Sequence, residues 1–190
     1  MLFIKEFGDS QQGKNIPIKF EPPEEWGFEP DIKTIVSIIR ELEPEFNSRN
    51  IKLAIENHDR FKAREFEEII LATASDSVGI CLDSVNSMGA GEGFNTVAEI
   101  LIPYTINLHI KDFTVFRMPH KMGLVVEGRS AGRGMLNIPE LKSRLEETGL
   151  CQSAVLELWT PPEENIDKTI RKESFWAEES IGYLKSVFKE

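Results

Sequence analysis

The sequence has few cysteines and no long apolar run. Its only two cysteines, Cys81 and Cys151, lie far apart and lack the close spacing of a metal or redox motif. We therefore predict that both are reduced and structural. No stretch approaches the roughly 18 apolar residues that a membrane-spanning helix needs, and residues 1–9 lack the apolar centre of a secretory signal. These absences predict a cytoplasmic protein without a membrane segment.

The chain is also short of basic residues. It has 22 lysines and arginines against 32 acidic residues, which gives a formal net charge of -10. Such a charge argues against a nucleic-acid backbone or an anionic membrane as the main partner, because both would repel it. With 190 residues, 41% of them hydrophobic, the chain suits a single globular domain over 1–190.

Apolar patterns of strand and helix type alternate along the chain. A long loop is predicted over 8–30, after a first short strand, and Asp31 is placed to cap the helix that follows. Strands are predicted at 2–7, 51–55, 78–82, 106–110 and 154–158, and helices from 32 onward and at 63–74, 95–101, 138–145 and 165–188. Strands that alternate with helices and read as apolar runs indicate an α/β fold with a parallel sheet.

Four of the predicted strands end in polar chemistry. The segment "LAIENHD" passes from apolar residues into Glu56, and the later strands end at or near Asp83, His109 and Glu157. Because the carboxyl ends of parallel strands lie on one side of the sheet, these side chains are expected to meet. Three carboxylates and an imidazole would repel each other without a cation, so we predict a divalent metal site. Oxygen ligands with one imidazole favour Mn²⁺ or Mg²⁺, with Co²⁺ and Zn²⁺ as alternatives.

A plainer interpretation exists for each residue taken alone. An acidic residue at a strand end commonly starts a loop, and a histidine inside an apolar strand such as His109 is commonly a hydrogen-bonded core residue. The succession of four such strand ends is what favours the metal site. We also predict contacts to substrate from residues close to these ends and in the segment after the fourth strand: Asn57, His58, Asn86, Lys111, Arg117 and Arg129.

Five segments in order, "LAIENHD", "VGICLDSVNSMGAGEG", "NLHIKDF", "EGRSAGRGMLNIPEL" and "AVLELW", resemble the sugar phosphate isomerase/epimerase family with the xylose isomerase-like TIM barrel. The resemblance implies that Glu56, Asp83, His109 and Glu157 are the four metal ligands at the barrel mouth. It also implies that Glu56 and Glu157 act as acid and base on a small sugar or sugar phosphate, which passes through an enediolate.

The sequence departs from the family pattern in two site residues and in the number of strands. Many epimerases of this family have a histidine three residues after the aspartate, where this chain has Asn86, and an arginine six residues after the strand histidine, where Arg117 is the nearest candidate. A complete barrel has eight strand-helix units in about 250 residues, whereas five strands are predicted here. We therefore expect an N-terminally truncated partial barrel. Either the chain is a fragment, or a second chain or a homo-oligomer completes the barrel, or the protein has lost catalysis.

Other functions remain as alternatives. "GRSAGRG", residues 128–134, is read as a turn before Asn137, with a phosphate or carboxylate contact through Arg129 or Arg133 as the other hypothesis. A related endonuclease type uses a histidine-rich, multi-metal site, which three histidines and the net charge disfavour. A non-catalytic protein that keeps the fold, and with it the metal or a ligand, is the third hypothesis.

Overall fold

The computed structural model describes residues 2–5, 18–20 and 30–188. In this part of the chain there are eight strands and five α-helices. The strands are β1 (Leu2–Lys5), β2 (Ile18–Phe20), β3 (Leu53–Glu56), β4 (Val78–Asp83), β5 (Thr105–Ile110), β6 (Asp112–Arg117), β7 (Leu124–Arg129) and β8 (Ser153–Leu156). The helices are α1 (Ile32–Ser48), α2 (Ala63–Thr73), α3 (Phe94–Leu101), α4 (Ile138–Thr148) and α5 (Ile166–Val187).

The chain divides into two compact units. The first comprises Met1–Leu82 and Asn86–Asn107, and the second comprises Asp83–Val85 and Leu108–Glu190. The strands of the first unit are hydrogen-bonded in the order β2-β1-β3-β4-β5. The last three residues of β5 belong to the second unit, where β8 is the neighbouring strand. A separate two-stranded sheet, β6 with β7, also belongs to the second unit. That the whole chain acts as one domain stays a prediction.

The central strands are buried on both faces. Every residue of β3 and β4 is buried, and the two strands pair in parallel with Leu53 opposite Val78 and Glu56 opposite Cys81. This confirms the predicted α/β fold with parallel strands, since helices that cover both faces need apolar side chains on both. β1 differs, because it pairs antiparallel with both β2 and β3.

The helices begin where the capping residues predict. The side chain of Asp31 accepts a hydrogen bond from the amide of Thr34 at 2.8 Å, and Asn137 accepts from the amide of Glu140 at 3.3 Å. Each bond satisfies an amide that the first helical turn leaves without a partner. The buried face of α1 carries Ile35, Val36 and Ile39, as the helical spacing of apolar residues predicts.

Two features of the fold differ from prediction. The hairpin of β6 and β7 was not predicted, and it raises the number of strands above the expected five. The predicted loop over 8–30 is wrong at Ile18–Phe20, which form β2. The first strand is confirmed for Leu2–Lys5, whereas the rest of its predicted range and most of the predicted loop lie outside the described residues.

The structure describes both cysteines and the five α-helices. Cys81 and Cys151 are thiols that are not joined by a disulfide. Among the described residues, no helix combines the length and hydropathy that crossing a bilayer requires.

Candidate metal centre

Three of the predicted metal ligands come together in the second unit. Asp83 is the last residue of β4, His109 lies in β5, and Glu157 directly follows β8. Each offers one oxygen or nitrogen atom, and these atoms lie within 4.8 Å of one another. Asp83 and His109 are buried, whereas 41% of the Glu157 side chain is exposed. The cluster therefore has two side chains in the interior and one that is partly exposed.

Backbone bonds fix the two carboxylates. Asp83 Oδ1 accepts the amide of Val85 at 2.8 Å, which holds the turn that follows β4. The amide of Glu157 donates to the carbonyl of Ile110 at 3.0 Å, so Glu157 is held beside the end of β5. With this bond Glu157 Oε2 lies 2.9 Å from His109 Nδ1.

Lys111 is the fourth member of this group. Its ammonium lies 3.1 Å from Asp83 Oδ2 and 3.1 Å from Glu157 Oε1. Its backbone is held on both sides by Ser84, whose hydroxyl accepts the amide of Lys111 at 2.9 Å and donates to its carbonyl at 2.7 Å. Sequence reasoning missed Ser84, because a serine after a strand carries no signal of such a contact.

The charges of this group shift the pKa values of two members. A hydrogen bond from His109 is the main cause that lowers the pKa of Glu157 to about 2; burial opposes this shift, and the Lys111 charge adds to it. Burial alone would lower the pKa of Lys111, but the charges of Asp83 and Glu157 outweigh burial and raise it. Glu157 is therefore ionised and Lys111 protonated at neutral pH.

The donor set fits a divalent cation. Two carboxyl groups and one imidazole provide three ligand atoms of the kind that Mg²⁺, Mn²⁺ and Zn²⁺ accept, and no thiolate stands among them. A hydrogen bond to the side chain of Asp83 and one from the backbone of Glu157 hold two of the three in place, and such support keeps ligands oriented. A cluster of Asp, His and Glu that could hold a metal ion is thus present.

Glu56 and its neighbours lie in the first unit. The carboxylate of Glu56 is buried, and its Oε1 accepts a hydrogen bond from Asn86 Nδ2 at 3.0 Å. The amide group of Asn57 is also buried and donates to the hydroxyl of Ser87 at 2.9 Å. His58 lies in the loop after β3, with Nδ1 2.5 Å from Asp59 Oδ1. Glu56, predicted as a metal ligand, and Asn86, predicted as a substrate contact, are therefore hydrogen-bonded to each other, which was not predicted.

The two predicted substrate arginines lie in the hairpin. Arg117, the last residue of β6, is exposed and donates to the carbonyl of Lys121 at 3.4 Å. Arg129, the last residue of β7, contacts the carboxylate of Glu127 and donates to the carbonyl of Gly128 at 2.9 Å. Arg133 pairs instead with Glu179, at 2.8 Å. Substrate contacts from these arginines stay a prediction.

The sequence of the chain is similar to known proteins over most of its length. A family model described as "Xylose isomerase-like TIM barrel" matches residues 13–187. The chain is 31% identical over 149 residues to a 3-oxo-isoapionate decarboxylase of Pectobacterium atrosepticum, a match that covers 78% of this chain and 54% of that protein. The chain thus spans about half the length of this relative.

Solved structures share the fold. A xylose isomerase domain protein from Planctomyces limnophilus superposes with a TM-score of 0.65 at 17% identity, over 90% of this chain and 58% of that one. D-psicose 3-epimerase from Clostridium cellulolyticum, solved with D-tagatose, superposes with a TM-score of 0.60 at 15% identity, over 85% and 58%. These matches confirm the predicted fold class, and the coverage agrees with a partial barrel.

Proposed function

Because the chain belongs to the xylose isomerase-like TIM-barrel family, we propose that it is a divalent-metal-dependent isomerase or epimerase of a small sugar or sugar-derived ketone. The observation that carries the proposal is the meeting of Asp83, His109 and Glu157, whose ligand atoms lie within 4.8 Å of one another. Its reaction is a proton transfer next to a carbonyl, through an enediolate.

Glu56 is proposed as the remaining ligand. It ends β3, which pairs in parallel with β4, and it stands opposite Cys81, two residues before Asp83. Like Asp83, it is a buried acidic residue at the carboxyl end of its strand. Mn²⁺ or Mg²⁺ is the proposed ion, because carboxylates outnumber the imidazole.

Metal binding, proton transfer and substrate binding are assigned to different residues. A divalent cation, when bound, stabilises negative charge on the substrate oxygens. Asp83 and His109 are buried and serve to hold that cation. Glu157 is proposed to move the proton at the substrate carbon, because 41% of its side chain is exposed and it is ionised at neutral pH. Glu56 is proposed as the partner acid or base, and Asn57, His58 and Asn86 as hydrogen-bonding groups for sugar hydroxyls.

Decarboxylation of a 3-oxo sugar acid is the second candidate. The observation that favours it is the sequence similarity to the 3-oxo-isoapionate decarboxylase. Both reactions place negative charge on a ketone oxygen, in one case by loss of a proton and in the other by loss of carbon dioxide. The same cation and the same buried ligands would serve either reaction, so substrate trials must include both classes.

The proposal is tested by the metal content of matched variants. Wild type, Asp83→Ala and the exposed control Asp76→Ala are purified identically, supplied with Mn²⁺ and measured by elemental analysis. We expect about one ion per chain in wild type and in the control, and none in Asp83→Ala, because removing a charged ligand abolishes tight binding. Retained metal in folded Asp83→Ala, or no metal in wild type, would contradict the proposed centre.

The reaction is tested on the same samples. Deuterium taken up from D₂O into small ketoses, followed by nuclear magnetic resonance, reports proton transfer through an enediolate. Release of carbon dioxide from 3-oxo sugar acids reports the second candidate. Deuterium uptake that requires Mn²⁺ and is lost in Glu157→Gln supports the isomerase proposal, whereas carbon dioxide release without such uptake supports the decarboxylase.

A further inference from the structure

The sequence register places Lys111 with the metal ligands. It lies two residues after His109, and residues two apart in an extended chain point to the same face. The reciprocal bonds with Ser84, at 2.9 and 2.7 Å, fix its backbone at the end of β5. Its side chain is only 13% exposed. Lys111 is therefore built into the centre and is not a mobile surface lysine.

The ammonium stands between two carboxylates that come from different strands. It lies 3.1 Å from Asp83 Oδ2 and 3.1 Å from Glu157 Oε1. A purely structural role would be to neutralise these carboxylates. A divalent cation bound to the carboxylates of Asp83 and Glu157 would neutralise them without Lys111. The buried side chain of Lys111 nevertheless keeps its positive charge next to both carboxylates.

The count of charges gives Lys111 a further role. Asp83 and Glu157, the two carboxylates of the second unit that contact Lys111, together carry the charge that one divalent cation neutralises. Without Lys111 the loaded centre would have no surplus positive charge to offset a new anion on the substrate. With Lys111 the centre carries one net positive charge, in two separate positive groups.

We propose that Lys111 is a further catalytic residue that donates a hydrogen bond to the substrate oxygen on which negative charge develops. The inference rests on the proposed function. In the step, the carbon-hydrogen bond breaks, its proton passes to the carboxylate base, and its electron pair forms the carbon-carbon double bond. The carbonyl pair moves to oxygen, where the Lys111 N–H meets it. In epimerisation the double-bond pair then takes a proton from the partner acid on the opposite face of the same carbon, and the oxygen pair re-forms the carbonyl. Preorganised donors aimed at developing charge stabilise the transition state more than the ground state.

The test compares an enediolate mimic with a neutral ketone. Glycolohydroxamate, which is planar and becomes an anion when it binds a divalent cation, serves as the mimic and dihydroxyacetone as the ketone. Both are titrated calorimetrically into Mn²⁺-loaded protein. We expect Lys111→Met to weaken glycolohydroxamate binding by about 10- to 100-fold, the range of a hydrogen bond to a charged group. The affinity for dihydroxyacetone should change by less than about threefold, since uniform binding is not the role proposed.

Two further variants separate charge from packing. Lys111→Arg keeps the charge and should retain part of the selectivity for glycolohydroxamate, and Lys185→Met, on the exposed side of α5, should behave as wild type. Equal weakening of both ligands, or no weakening of glycolohydroxamate, would overturn the inference while the metal centre stands. Loss of metal in Lys111→Met would also overturn it, because Lys111 would then act through the metal. If wild type holds no metal, the proposed function itself fails and this inference falls with it.

Discussion

At the scale of single residues, Asp112 shows how a buried carboxylate can organise a loop. It is buried and accepts four backbone amides, those of Phe113 and Leu136 on Oδ1 and those of Gly132 and Gly134 on Oδ2, at 2.8 to 3.0 Å. A Cβ atom at Gly134 would lie 2.1 Å from Asp112 Oδ1. The glycine is therefore needed for the backbone to approach the carboxylate.

Replacement of Asp112 by asparagine tests this arrangement. The amide has one acceptor oxygen, so its NH₂ group would face two backbone donors and leave them unsatisfied. We expect Asp112→Asn to lower the free energy of unfolding by about 1–3 kcal/mol, the range for buried donors without partners, as measured by urea denaturation. The exposed control Asp76→Asn should be neutral. An unchanged stability in Asp112→Asn would show that the carboxylate does not hold the loop.

The same residue explains why "GRSAGRG" was open to two interpretations. Glycines and arginines in sequence are typical of an anion-binding loop, and the sequence does not show where the backbone amides point. In the structure, Gly132 and Gly134 donate to Asp112, which stands next to Lys111 in the sequence. The turn before Asn137, the favoured interpretation, is therefore closed by a carboxylate of the protein itself. Only the tertiary structure reveals that pairing.

At the scale of elements, α5 is bound to this loop through its middle turn. The hydroxyl of Ser180 is buried and accepts the amide of Ala131 at 2.9 Å. The neighbouring Glu179 accepts from the hydroxyl of Ser130 and from Arg133 Nε, the latter at 2.8 Å. Both hydrogen bonds lower the pKa of Glu179, and the bond from Ser130 has the larger effect.

This lowered pKa predicts a pH-dependent contribution to stability. A carboxylate with a lower pKa in the folded state stabilises the fold above its unfolded pKa of about 4.5, and the contribution is lost as the pH falls through the folded value. We expect Glu179→Gln to have a lower melting temperature than wild type at pH 7, with the difference shrinking by pH 3. Glu178→Gln, an exposed neighbour, is the matched control. A difference that stays constant from pH 7 to pH 3 would rule out this linkage.

The elements that the sequence predicts are those with a strong local signal. Helix starts at Asp31 and Asn137 follow from capping chemistry, and β3 and β4 follow from continuous apolar runs. The hairpin of β6 and β7 has the β-branched and aromatic residues of strands on either side of Pro119 and Gly123. It was missed because its charged and turn-forming residues resemble a loop after the fourth strand. β2 has three residues, too few for a periodic pattern.

The site was predictable for a different reason. Asp83, His109 and Glu157 were expected together because parallel strands end on one side of a sheet, and that rule needs no side-chain detail. Lys111 was expected near them as a substrate contact, but its salt bridges to Asp83 and Glu157 depend on the length and direction of a flexible side chain. Such contacts require coordinates.

At the scale of the whole molecule, the proposed metal ligands come from distant parts of the chain. Asp83, His109 and Glu157 belong to or follow three different strands, so the unfolded chain does not hold their ligand atoms within 4.8 Å of one another. A cation that binds the centre therefore binds the folded state alone. Such selective binding stabilises the fold in proportion to the logarithm of the free metal concentration.

This linkage gives a measurable shift in thermal unfolding. At free Mn²⁺ about 100-fold above its dissociation constant, the folded state gains about 2.7 kcal/mol, which for a chain of this size corresponds to a rise in melting temperature of about 5–10 °C. We expect the rise in wild type and in the exposed variant Asp76→Ala, its reversal by a chelator, and no rise in Asp83→Ala. Scanning calorimetry with and without Mn²⁺ measures it. An equal rise in Asp83→Ala would mean that the ion binds elsewhere. Because the chain carries a net charge of -10, Mn²⁺ can also bind weakly to surface carboxylates. The titration is therefore repeated at high salt, which screens binding at the surface much more than binding at the buried centre.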